Sequence, residues 1–349
     1  MSDELPSPSS ARPPFPHGLP WLAATEHALL GAGARFPQAL LIEGPEGIGK
    51  GVLAMRVARA RLCEAPGADG SACGACASCD YVAAGQHPDL RVVEPVVYDE
   101  EGNPTPQDVI RIDAIRDLTE WSQVTSHRRG AKIAVIAPAE AMHYAAANAL
   151  LKTLEEPPAG TSLLLVSHQP GRLPATIRSR CLRRVVPLPP PDLARAWLAE
   201  NGVAEPESVL AQAGGAPFLA RHLADPGRQA ERGEWLRLLA APERFDPVGL
   251  AARIDLVPKD ERRSRLGDAL DGLIGWTADL ARVAAGGSPA RNPDFAPALT
   301  RLGPRVARLS LLRYHRALLR QRALLQHPLQ PRLVAEALLI DYRTLFSHD

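Results

Sequence analysis

Residues 44–51 read Gly-Pro-Glu-Gly-Ile-Gly-Lys-Gly, which follows the phosphate-binding loop pattern G-x-x-x-x-G-K-[ST] up to its last position. In the full pattern the backbone N–H groups surround the phosphates, the lysine approaches them, and the last hydroxyl holds Mg²⁺. Gly51 stands at that last position and offers no hydroxyl. The sequence therefore predicts a phosphate loop with Gly44, Gly49 and Lys50 as nucleotide-binding residues and with one metal ligand missing.

The segments on both sides of the loop agree with this interpretation. Residues 38–43 contain a short apolar run typical of a buried strand, and residues 52–62 have helix-forming composition without proline. A strand, a glycine loop and a helix in this order direct the helix N-terminus at an anion. The alternative is a glycine turn that only joins the two elements. The spacing, the lysine and the flanking segments together favour the phosphate loop.

A second metal ligand is missing after the apolar strand predicted at residues 132–137. In nucleotide-hydrolysing domains an aspartate at the end of such a strand orients Mg²⁺, and in many of them a following glutamate polarises the attacking water. Here Ala137, Pro138 and Ala139 occupy this place. Because the hydroxyl at position 51 and the acid at position 137 are both absent, we expect that this chain does not hydrolyse ATP.

Strands and helices alternate along this part of the chain. Apolar residues at near-helical spacing predict a helix over residues 108–122, and a second helix is expected over residues 140–155, before a strand at residues 162–167. Such alternation predicts an α/β fold with a parallel sheet and helices on both of its faces. The proline-rich residues 185–192 indicate a linker, after which Asp192 is expected to cap the next helix.

Cysteines follow the helix of the phosphate loop with a spacing typical of a metal site. The first lies near the helix end and three more are spaced C-x₂-C-x₂-C among small residues; they are Cys63, Cys73, Cys76 and Cys79. Four thiolates that converge in this way suit the tetrahedral coordination of a structural zinc. Disulfides, an iron–sulfur cluster and unliganded core cysteines are the alternatives, and zinc is favoured over them. His87 is a possible substitute ligand but is more typical of a loop residue, and Cys181 is expected to be a small buried residue.

Composition and charge restrict the kinds of function. The 349 residues, 46% of them hydrophobic and 23% charged, suffice for two or three domains. A formal net charge of +1 argues against strong independent binding to nucleic acid, because such affinity comes largely from neutralised phosphates. Residues 1–18 are rich in proline and lack the apolar core of a signal peptide, so we interpret them as the disordered leader of a cytoplasmic protein.

Two further segments carry a resemblance to a known family. They are Asn148-Ala-Leu-Leu-Lys-Thr-Leu-Glu-Glu-Pro-Pro158 and Leu173-Pro-Ala-Thr-Ile-Arg-Ser-Arg-Cys181. Both resemble the clamp-loader branch of the AAA+ superfamily, and the four-cysteine insert resembles its bacterial members in particular. The resemblance implies an AAA+ RecA-like parallel-sheet domain at residues 19–187 with a zinc module at residues 63–79, a small helical lid domain at residues 188–228 and an all-helical collar domain for oligomerisation at residues 229–349.

The resemblance also implies a role for Arg180. Within Ser179-Arg180-Cys181 this residue matches the arginine finger that a clamp-loader subunit extends into the ATP site of its neighbour. A guanidinium supplied in trans stabilises the negative charge that develops on the γ-phosphate. Without the motif, the favoured interpretation of Arg180 is a surface or salt-bridged arginine. With the motif, the arginine finger is favoured. Residues 214–218, near which active members place a further ATP-sensing arginine, contain none.

Leucines and arginines alternate on the helices expected near the C-terminus. Periodicity favours a core role for the leucines, and the resemblance directs some of them to contacts between subunits; they are Leu309, Leu312, Leu318, Leu319, Leu324 and Leu325. The arginines between residues 305 and 322 are interpreted as a solvated helix face rather than as a track for DNA.

The implied function is that of a non-hydrolysing subunit of the bacterial clamp loader. Its implied partners are the gamma/tau and delta subunits in a hetero-oligomeric ring and, through that complex, the sliding clamp and primed DNA, with no membrane contact. Zinc is expected to be structural, and ATP binding by the chain is expected to be weak or absent. The alternatives are an ATP-hydrolysing, gamma/tau-like AAA+ subunit and a free-standing zinc-dependent DNA-binding protein, which the near-zero charge disfavours.

Overall fold

The computed structural model of the chain describes residues 19–98, 104–128, 130–244, 246–259, 261–325 and 330–347. The leader expected at residues 1–18 lies outside the described residues. The strands are β1 (Ala39–Glu43), β2 (Leu90–Val93), β3 (Val96–Tyr98), β4 (Pro104–Pro106), β5 (Lys132–Ile136), β6 (Thr161–Ser167) and β7 (Leu182–Val185). The α-helices are α1 (Ala23–Leu30), α2 (Lys50–Leu62), α3 (Ala77–Ala84), α4 (Ile112–Gln123), α5 (Tyr144–Glu155), α6 (Ala175–Arg178), α7 (Pro191–Glu200), α8 (Pro206–Gln212), α9 (Pro217–Leu223), α10 (Pro226–Leu239), α11 (Pro247–Ala252), α12 (Arg262–Ala284), α13 (Ala296–Leu302), α14 (Arg308–Ala323) and α15 (Pro331–Thr344).

Strands β1, β2, β5, β6 and β7 form one sheet in which every pairing is parallel. The strand order is β2-β5-β6-β1-β7, so β1, which precedes the phosphate loop, lies between β6 and β7. Strands β3 and β4 form a separate antiparallel pair. The parallel α/β sheet predicted from the alternation of strands and helices is therefore confirmed.

The three inner strands β5, β6 and β1 are buried on both faces, which explains their mostly apolar sequences, whereas the edge strands β2 and β7 are partly exposed. Leu40, Leu41 and Ile42 of β1 are all fully buried. Side chains alternate between the two faces along a strand, so Leu41 packs with α4, α5 and α6 while Leu40 and Ile42 lie on the opposite face. Helix α2 contacts β1, β5 and β6. The loop and the first turn of α2 are thereby held against the centre of the sheet.

The helix predicted over residues 140–155 begins later than the sequence pattern indicates. A short 3₁₀ helix at Ala139–Ala141 comes first, and α5 begins only at Tyr144. The Nδ1 atom of His143 accepts the backbone N–H of Ala145 at 3.3 Å and so caps the helix. The pattern of apolar residues is continuous through both elements, which is why it did not reveal the break.

Asp192 does not cap the helix that follows the linker, and this prediction is wrong. Helix α7 begins at Pro191, so Asp192 already lies in its first turn. The carbonyl of Pro190 accepts the N–H of Ala194 at 3.1 Å, which places the start of the helix before Asp192. The Asp192 carboxylate instead pairs with the guanidinium of Arg195 within the same helix.

The chain divides into two compact units. The first holds the described residues up to Trp197 together with Ala216–Leu219, and the second holds Leu198–Gly215 and the residues from Ala220 onward. The finer division into a lid at residues 188–228 and a collar at residues 229–349 stays a prediction. None of the described helices combines the length and the apolar character that a membrane-spanning segment needs.

The described part of the second unit is helical, with an apolar core crossed by aromatic hydrogen bonds. The indole Nε1 of Trp276 donates to the hydroxyl of Tyr342 at 2.7 Å, and that hydroxyl donates to the carbonyl of Leu239 at 2.7 Å. Among the leucines interpreted as core, Leu318 and Leu325 are indeed buried. The core prediction is wrong for the exposed ones, which are Leu309, Leu312, Leu319 and Leu324.

Candidate functional site

The phosphate loop joins β1 to α2 with a backbone shape that its glycines permit. Helix α2 begins at Lys50, and Gly49 precedes it with a φ of 89°, in the left-handed region. Gly44 has a φ of 155°. A Cβ atom added at Gly44 would lie 2.1 Å from the carbonyl oxygen of Val186, so no larger residue fits there without a backbone shift. Two of the three predicted nucleotide-binding residues are therefore required by the local geometry of the loop itself.

Neighbouring parts of the first unit pack closely on the loop. The indole Nε1 of Trp21 donates to the carbonyl of Ile48 at 2.9 Å, and the N–H of Phe218 donates to the carbonyl of Gly47 at 2.9 Å. The ring of Phe218 also lies against Gly49, because a Cβ atom added at Gly49 would be 2.8 Å from its Cε2 atom. The loop is thus fixed by side chains and backbone of its own chain.

Lys50, the third predicted nucleotide-binding residue, points back into the loop. It is fully buried, and its Nζ atom donates to the carbonyl of Pro45. His168 follows β6. Its burial, together with the positive charge of Lys50, lowers its pKa to about 3. The imidazole is therefore neutral at physiological pH, and Lys50 supplies the positive charge at this place.

The positions expected to lack metal ligands have no side-chain oxygen. Gly51 lies in the first turn of α2, and Ala137 follows β5 and is buried. The next acid along the chain is Glu140, whose Oε1 atom accepts the N–H groups of His168 and Gln169, both at 2.9 Å. Its Oε2 atom is buried without a hydrogen-bond partner among the described residues. Glu140 holds the segment after β6, a role that its place in the sequence did not indicate.

Arg180 lies in the turn between α6 and β7, at the surface. Its Nε atom donates to Oε1 of Glu155 at 2.8 Å, and its Nη2 atom donates to the same oxygen. Its Nη1 atom donates to the carbonyl of Thr176 at 2.9 Å. Glu155 was not identified from the sequence, although it ends α5 within one of the two segments that carry the family resemblance. Arg180 is therefore a salt-bridged surface arginine whose orientation Glu155 and Thr176 fix.

The four cysteines converge on one point, as the spacing predicts. Their Sγ atoms all lie within 4.8 Å of one another. Cys63 follows the last residue of α2, Cys76 immediately precedes α3, and Cys79 lies in the first turn of α3. The N–H of Cys73 donates to Sγ of Cys63 at 3.2 Å, and the N–H of Glu64 donates to Sγ of Cys76 at 3.4 Å. Such bonds stabilise thiolates, so the cluster can hold a metal ion and is compatible with zinc.

The thiols of this cluster differ in acidity. All four are free of disulfides. Burial raises the pKa of Cys79 to about 12 and also raises the pKa of Cys63. Backbone hydrogen bonding lowers the pKa of Cys73. At Cys76 burial acts to raise the pKa, but hydrogen bonds from the backbone and from the other thiols outweigh it and lower the pKa to about 6. A bound cation has to stabilise the Cys63 and Cys79 thiolates most.

A buried hydrogen-bonded chain begins at the cysteine cluster and accounts for His87. The hydroxyl of Ser78 donates to Oε1 of Glu64 at 3.2 Å, and Nε2 of His87 lies 3.1 Å from that hydroxyl. Nδ1 of His87 accepts the N–H of Asp89 at 3.0 Å, which assigns the ring proton to Nε2. Burial lowers the pKa of His87. Both ring nitrogens are engaged, so His87 is not a substitute ligand.

Cys181 lies outside the cluster and is partly buried, and burial raises its pKa to about 11.

Asp89 extends this chain to the loop that follows α4. It is fully buried, and its two carboxylate oxygens accept the backbone N–H groups of His127 and Arg128, each at 2.8 Å. The guanidinium of Arg128 returns to the cluster by pairing with Glu64. The cysteine module and this loop are therefore held together by one continuous polar network, which we name the Asp89 network.

The strand order, with a phosphate loop between the inner strand β1 and helix α2, defines a P-loop protein of the α/β class whose loop has no hydroxyl at position 51. A family model described as DNA polymerase III, delta subunit, matches residues 31–191. The chain belongs to the family of DNA polymerase III delta' subunits.

Individual relatives show the extent of this similarity. The delta' subunit of Pseudomonas aeruginosa is 44% identical over 219 residues, which cover 62% of this chain and 64% of that relative, a little under two thirds of its length. The delta' subunit of Yersinia pestis is 32% identical over 294 residues, which cover 81% of this chain and 82% of that relative. A solved structure of a DNA polymerase III gamma subunit-related protein from Thermotoga maritima matches 94% of this chain and 100% of its own, with 16% identity and a TM-score of 0.43.

Proposed function

We propose that this chain is a non-hydrolysing clamp-loader subunit that supplies Arg180 to the ATP site of a neighbouring gamma/tau subunit. The observation that carries the proposal is the phosphate loop, which keeps Gly44, Gly49 and Lys50 while positions 51 and 137 offer no oxygen to Mg²⁺. Phosphoryl transfer depends on Mg²⁺ to neutralise developing charge. We therefore expect the contribution of this chain to ATP hydrolysis to come from a side chain that reaches another subunit.

Arg180 has the chemistry that this contribution needs. A guanidinium is always charged in proteins and donates in a planar fork that matches phosphate oxygens. Arginine fingers accelerate phosphoryl transfer by about 10³-fold to 10⁵-fold in GTPases. Arg180 lies at the surface of the first unit, in a turn next to an edge strand, where a neighbouring subunit has access to it.

Nucleotide binding by the chain's own loop is proposed to be weak or absent. The Nζ atom of Lys50 already donates to Pro45, and the loop is packed against Phe218. An incoming phosphate has to compete for the same lysine, and no magnesium ligand at position 51 assists it. We expect a bound nucleotide to contribute little to the stability of this chain.

We assign a structural zinc to the cluster of Cys63, Cys73, Cys76 and Cys79. Four thiolate ligands would satisfy the coordination of a zinc ion and would leave no open position for a substrate or for water, so the bound metal would supply folding energy and no catalytic chemistry. The ligands come from the end of α2, the start of α3 and the segment between them. The metal is therefore expected to fix the ends of these helices and, through the Asp89 network, the loop after α4.

Exposed leucines on the last helices support a place in an oligomer. Leu309, Leu312 and Leu319 recur at helical spacing on α14, and each is about half exposed or more. Leu333 and Ile340 lie seven residues apart on α15 and are also exposed. Apolar stripes of this kind are suited to packing against helices of other subunits, for which gamma/tau and delta are the proposed partners.

The relatives are named as subunits of DNA polymerase III, which supports a role in replication in the cytoplasm. In this role the chain works within a complex that opens the sliding clamp and places it on primed DNA. ATP bound by neighbouring subunits holds the complex in its active state, and hydrolysis releases the clamp.

Reconstitution with gamma/tau and delta tests the proposal. The DNA-stimulated ATPase and clamp loading of the complex are measured with the wild-type chain, with Arg180→Ala and with Arg172→Ala. Arg172 is a matched control because it is an exposed arginine eight residues earlier. We expect Arg180→Ala to leave assembly intact, on gel filtration, and to lower the ATPase rate at least about tenfold, and Arg172→Ala to change neither. An unchanged rate with Arg180→Ala would remove the finger assignment.

An ATP-hydrolysing, gamma/tau-like subunit is the second candidate, and Glu140 is the observation that favours it. Its Oε2 atom is buried without a hydrogen-bond partner among the described residues, close in sequence to the missing acid at position 137. This candidate predicts Mg²⁺-dependent ATPase activity in the isolated chain that both Lys50→Ala and Glu140→Gln abolish. The preferred function predicts no activity above background.

A further inference from the structure

Glu155 contacts Arg180 along one particular edge of the guanidinium. Arginine has five N–H donors in a plane, one on Nε and two on each of Nη1 and Nη2. The Nε atom and the adjacent Nη2 atom each donate to Oε1 of Glu155, with an Nε–Oε1 distance of 2.8 Å. On the other side, Nη1 donates to the carbonyl of Thr176 at 2.9 Å. Three of the five donors are therefore engaged within the first unit.

The two remaining donors of Arg180 are one N–H on Nη1 and one on Nη2, and neither has a partner among the described residues. The Arg180 side chain is 33% exposed, so solvent reaches the guanidinium. One N–H on each terminal nitrogen can supply a two-point contact with phosphate oxygens. The contacts with Glu155 and Thr176 thus orient the guanidinium and still leave it able to bind an anion.

We propose that Glu155 is a positioning residue for Arg180: it holds the Nε edge so that the terminal N–H groups are presented to a phosphate bound by a neighbouring subunit. This inference rests on the proposed function of Arg180 as an arginine finger. A mobile arginine loses side-chain freedom when it engages a ligand, and that loss opposes the interaction. Because Glu155 has already ordered Arg180, less freedom remains to be lost in the transition state of ATP hydrolysis.

The opposite role, in which Glu155 restrains Arg180 and inhibits it, requires the carboxylate to cover the terminal N–H groups. The observed contact instead uses Nε and one N–H of Nη2, and it leaves the second N–H of Nη2 uncovered by the carboxylate. The Glu155 side chain is 49% exposed, and ion pairs this exposed are weak, so the contact is suited to orienting Arg180 rather than to locking it away. The two roles predict opposite effects when the carboxylate is removed.

Three substitutions in the reconstituted complex test the proposal. Glu155→Ala removes the acceptor. Glu155→Gln keeps a carbonyl oxygen at the same reach, and one oxygen suffices because both N–H groups donate to Oε1. Glu156→Ala is the matched control, since Glu156 is the next residue, equally acidic and exposed. The kcat and the KM for ATP are measured separately on primed DNA, after gel filtration has shown that each complex assembles.

We expect Glu155→Ala to lower kcat about fivefold with KM for ATP within about twofold of wild type, because the interaction acts in the transition state. Glu155→Gln is expected to retain more than about half of the wild-type kcat, and Glu156→Ala to leave both constants unchanged. A higher kcat with Glu155→Ala would establish the inhibitory role and overturn the proposal, as would equal losses with Ala and Gln.

Arg180→Ala in the same assay distinguishes a failure of the finger role of Arg180 from a failure of the positioning role of Glu155. If Arg180→Ala leaves the ATPase rate unchanged, the finger assignment and the role of Glu155 are both wrong. If Arg180→Ala lowers the rate and Glu155→Ala does not, Arg180 is the finger and only the positioning role of Glu155 is wrong.

Discussion

Gly49→Ala tests how closely the phosphate loop is packed in this chain. Gly49 has a φ of 89°, at which alanine costs about 1–2 kcal/mol more than glycine. The added Cβ would also lie 2.8 Å from Cε2 of Phe218 and 3.3 Å from Cδ1 of Leu19. The ring or the loop then has to move, at a cost typical of overpacked cores, about 1–3 kcal/mol. We expect the free energy of unfolding to fall by about 3 kcal/mol in total.

Gly202→Ala separates the backbone cost from the packing cost. Gly202 has a φ of 78°, and an added Cβ there meets no described atom within 4 Å. The free energy of unfolding of Gly202→Ala is therefore expected to fall by the backbone cost alone, about 1 kcal/mol. Both variants are measured by equilibrium urea unfolding, followed by circular dichroism. Gly49→Ala is expected to lose about 2 kcal/mol more than Gly202→Ala, and equal losses would refute the packing of Phe218 on the loop.

Phe218→Leu supplies an independent arm of the same experiment. A smaller side chain at position 218 relieves the contact with a Cβ atom at position 49, so the double variant is expected to lose less stability than the sum of the single variants. Strictly additive losses would mean that the two residues do not touch in solution.

Three further predictions concern the metal module, the Asp89 network and His168. Removal of the metal by a strong chelator, or Cys76→Ser, is expected to release zinc and lower the melting temperature, measured by metal analysis and circular dichroism; unchanged melting would exclude a structural metal. Asp89→Ala removes a buried carboxylate that accepts two backbone N–H groups at 2.8 Å, so we expect a loss of about 3 kcal/mol in unfolding free energy, against less than about 0.5 kcal/mol for the exposed Asp117→Ala. The pKa of His168 is about 3 in the folded chain against 6.5 for the free side chain, so the unfolded state takes up the proton first as pH falls. The contribution of His168 to the free energy of unfolding is therefore complete above pH 6.5 and declines toward pH 3, by at most about 1.4 kcal/mol per pH unit. His168→Gln is expected to flatten the dependence of the urea midpoint on pH between these two values.

The elements that the sequence predicted well depend on residues close together along the chain. The phosphate loop is a run of eight residues, and its glycine spacing alone constrains the backbone. The cysteine module is nearly as local, because the ends of α2 and α3 bring Cys63 to the other three thiols. The parallel sheet followed from the alternation of short apolar strands with helices along the chain. In each case one local pattern determines the structure.

The parts that could not be predicted depend on contacts between residues far apart in the sequence, or on which residues pack against a given helix face. Glu155 and Arg180 are 25 residues apart, and Asp89 lies 38 residues before His127, so no local pattern joins either pair. The leucines of α14 illustrate the second case. Leu318 is buried and its neighbour Leu319 is exposed, although both fit an apolar helical repeat. The spacing of apolar residues indicates that a helix face is apolar, but it does not indicate whether the same chain or another subunit packs against that face.

The loop glycines and the missing magnesium ligands have different physical roles, which explains how one chain can keep the first and lack the second. Gly44 and Gly49 are required by the carbonyl of Val186 and by the ring of Phe218, whether or not a nucleotide is bound. A hydroxyl at position 51 and an acid at position 137 serve only a metal. Under the proposed function, in which Arg180 acts on the ATP of a neighbouring subunit, the loop glycines therefore remain necessary for packing of the fold, while metal ligands at positions 51 and 137 would have no role.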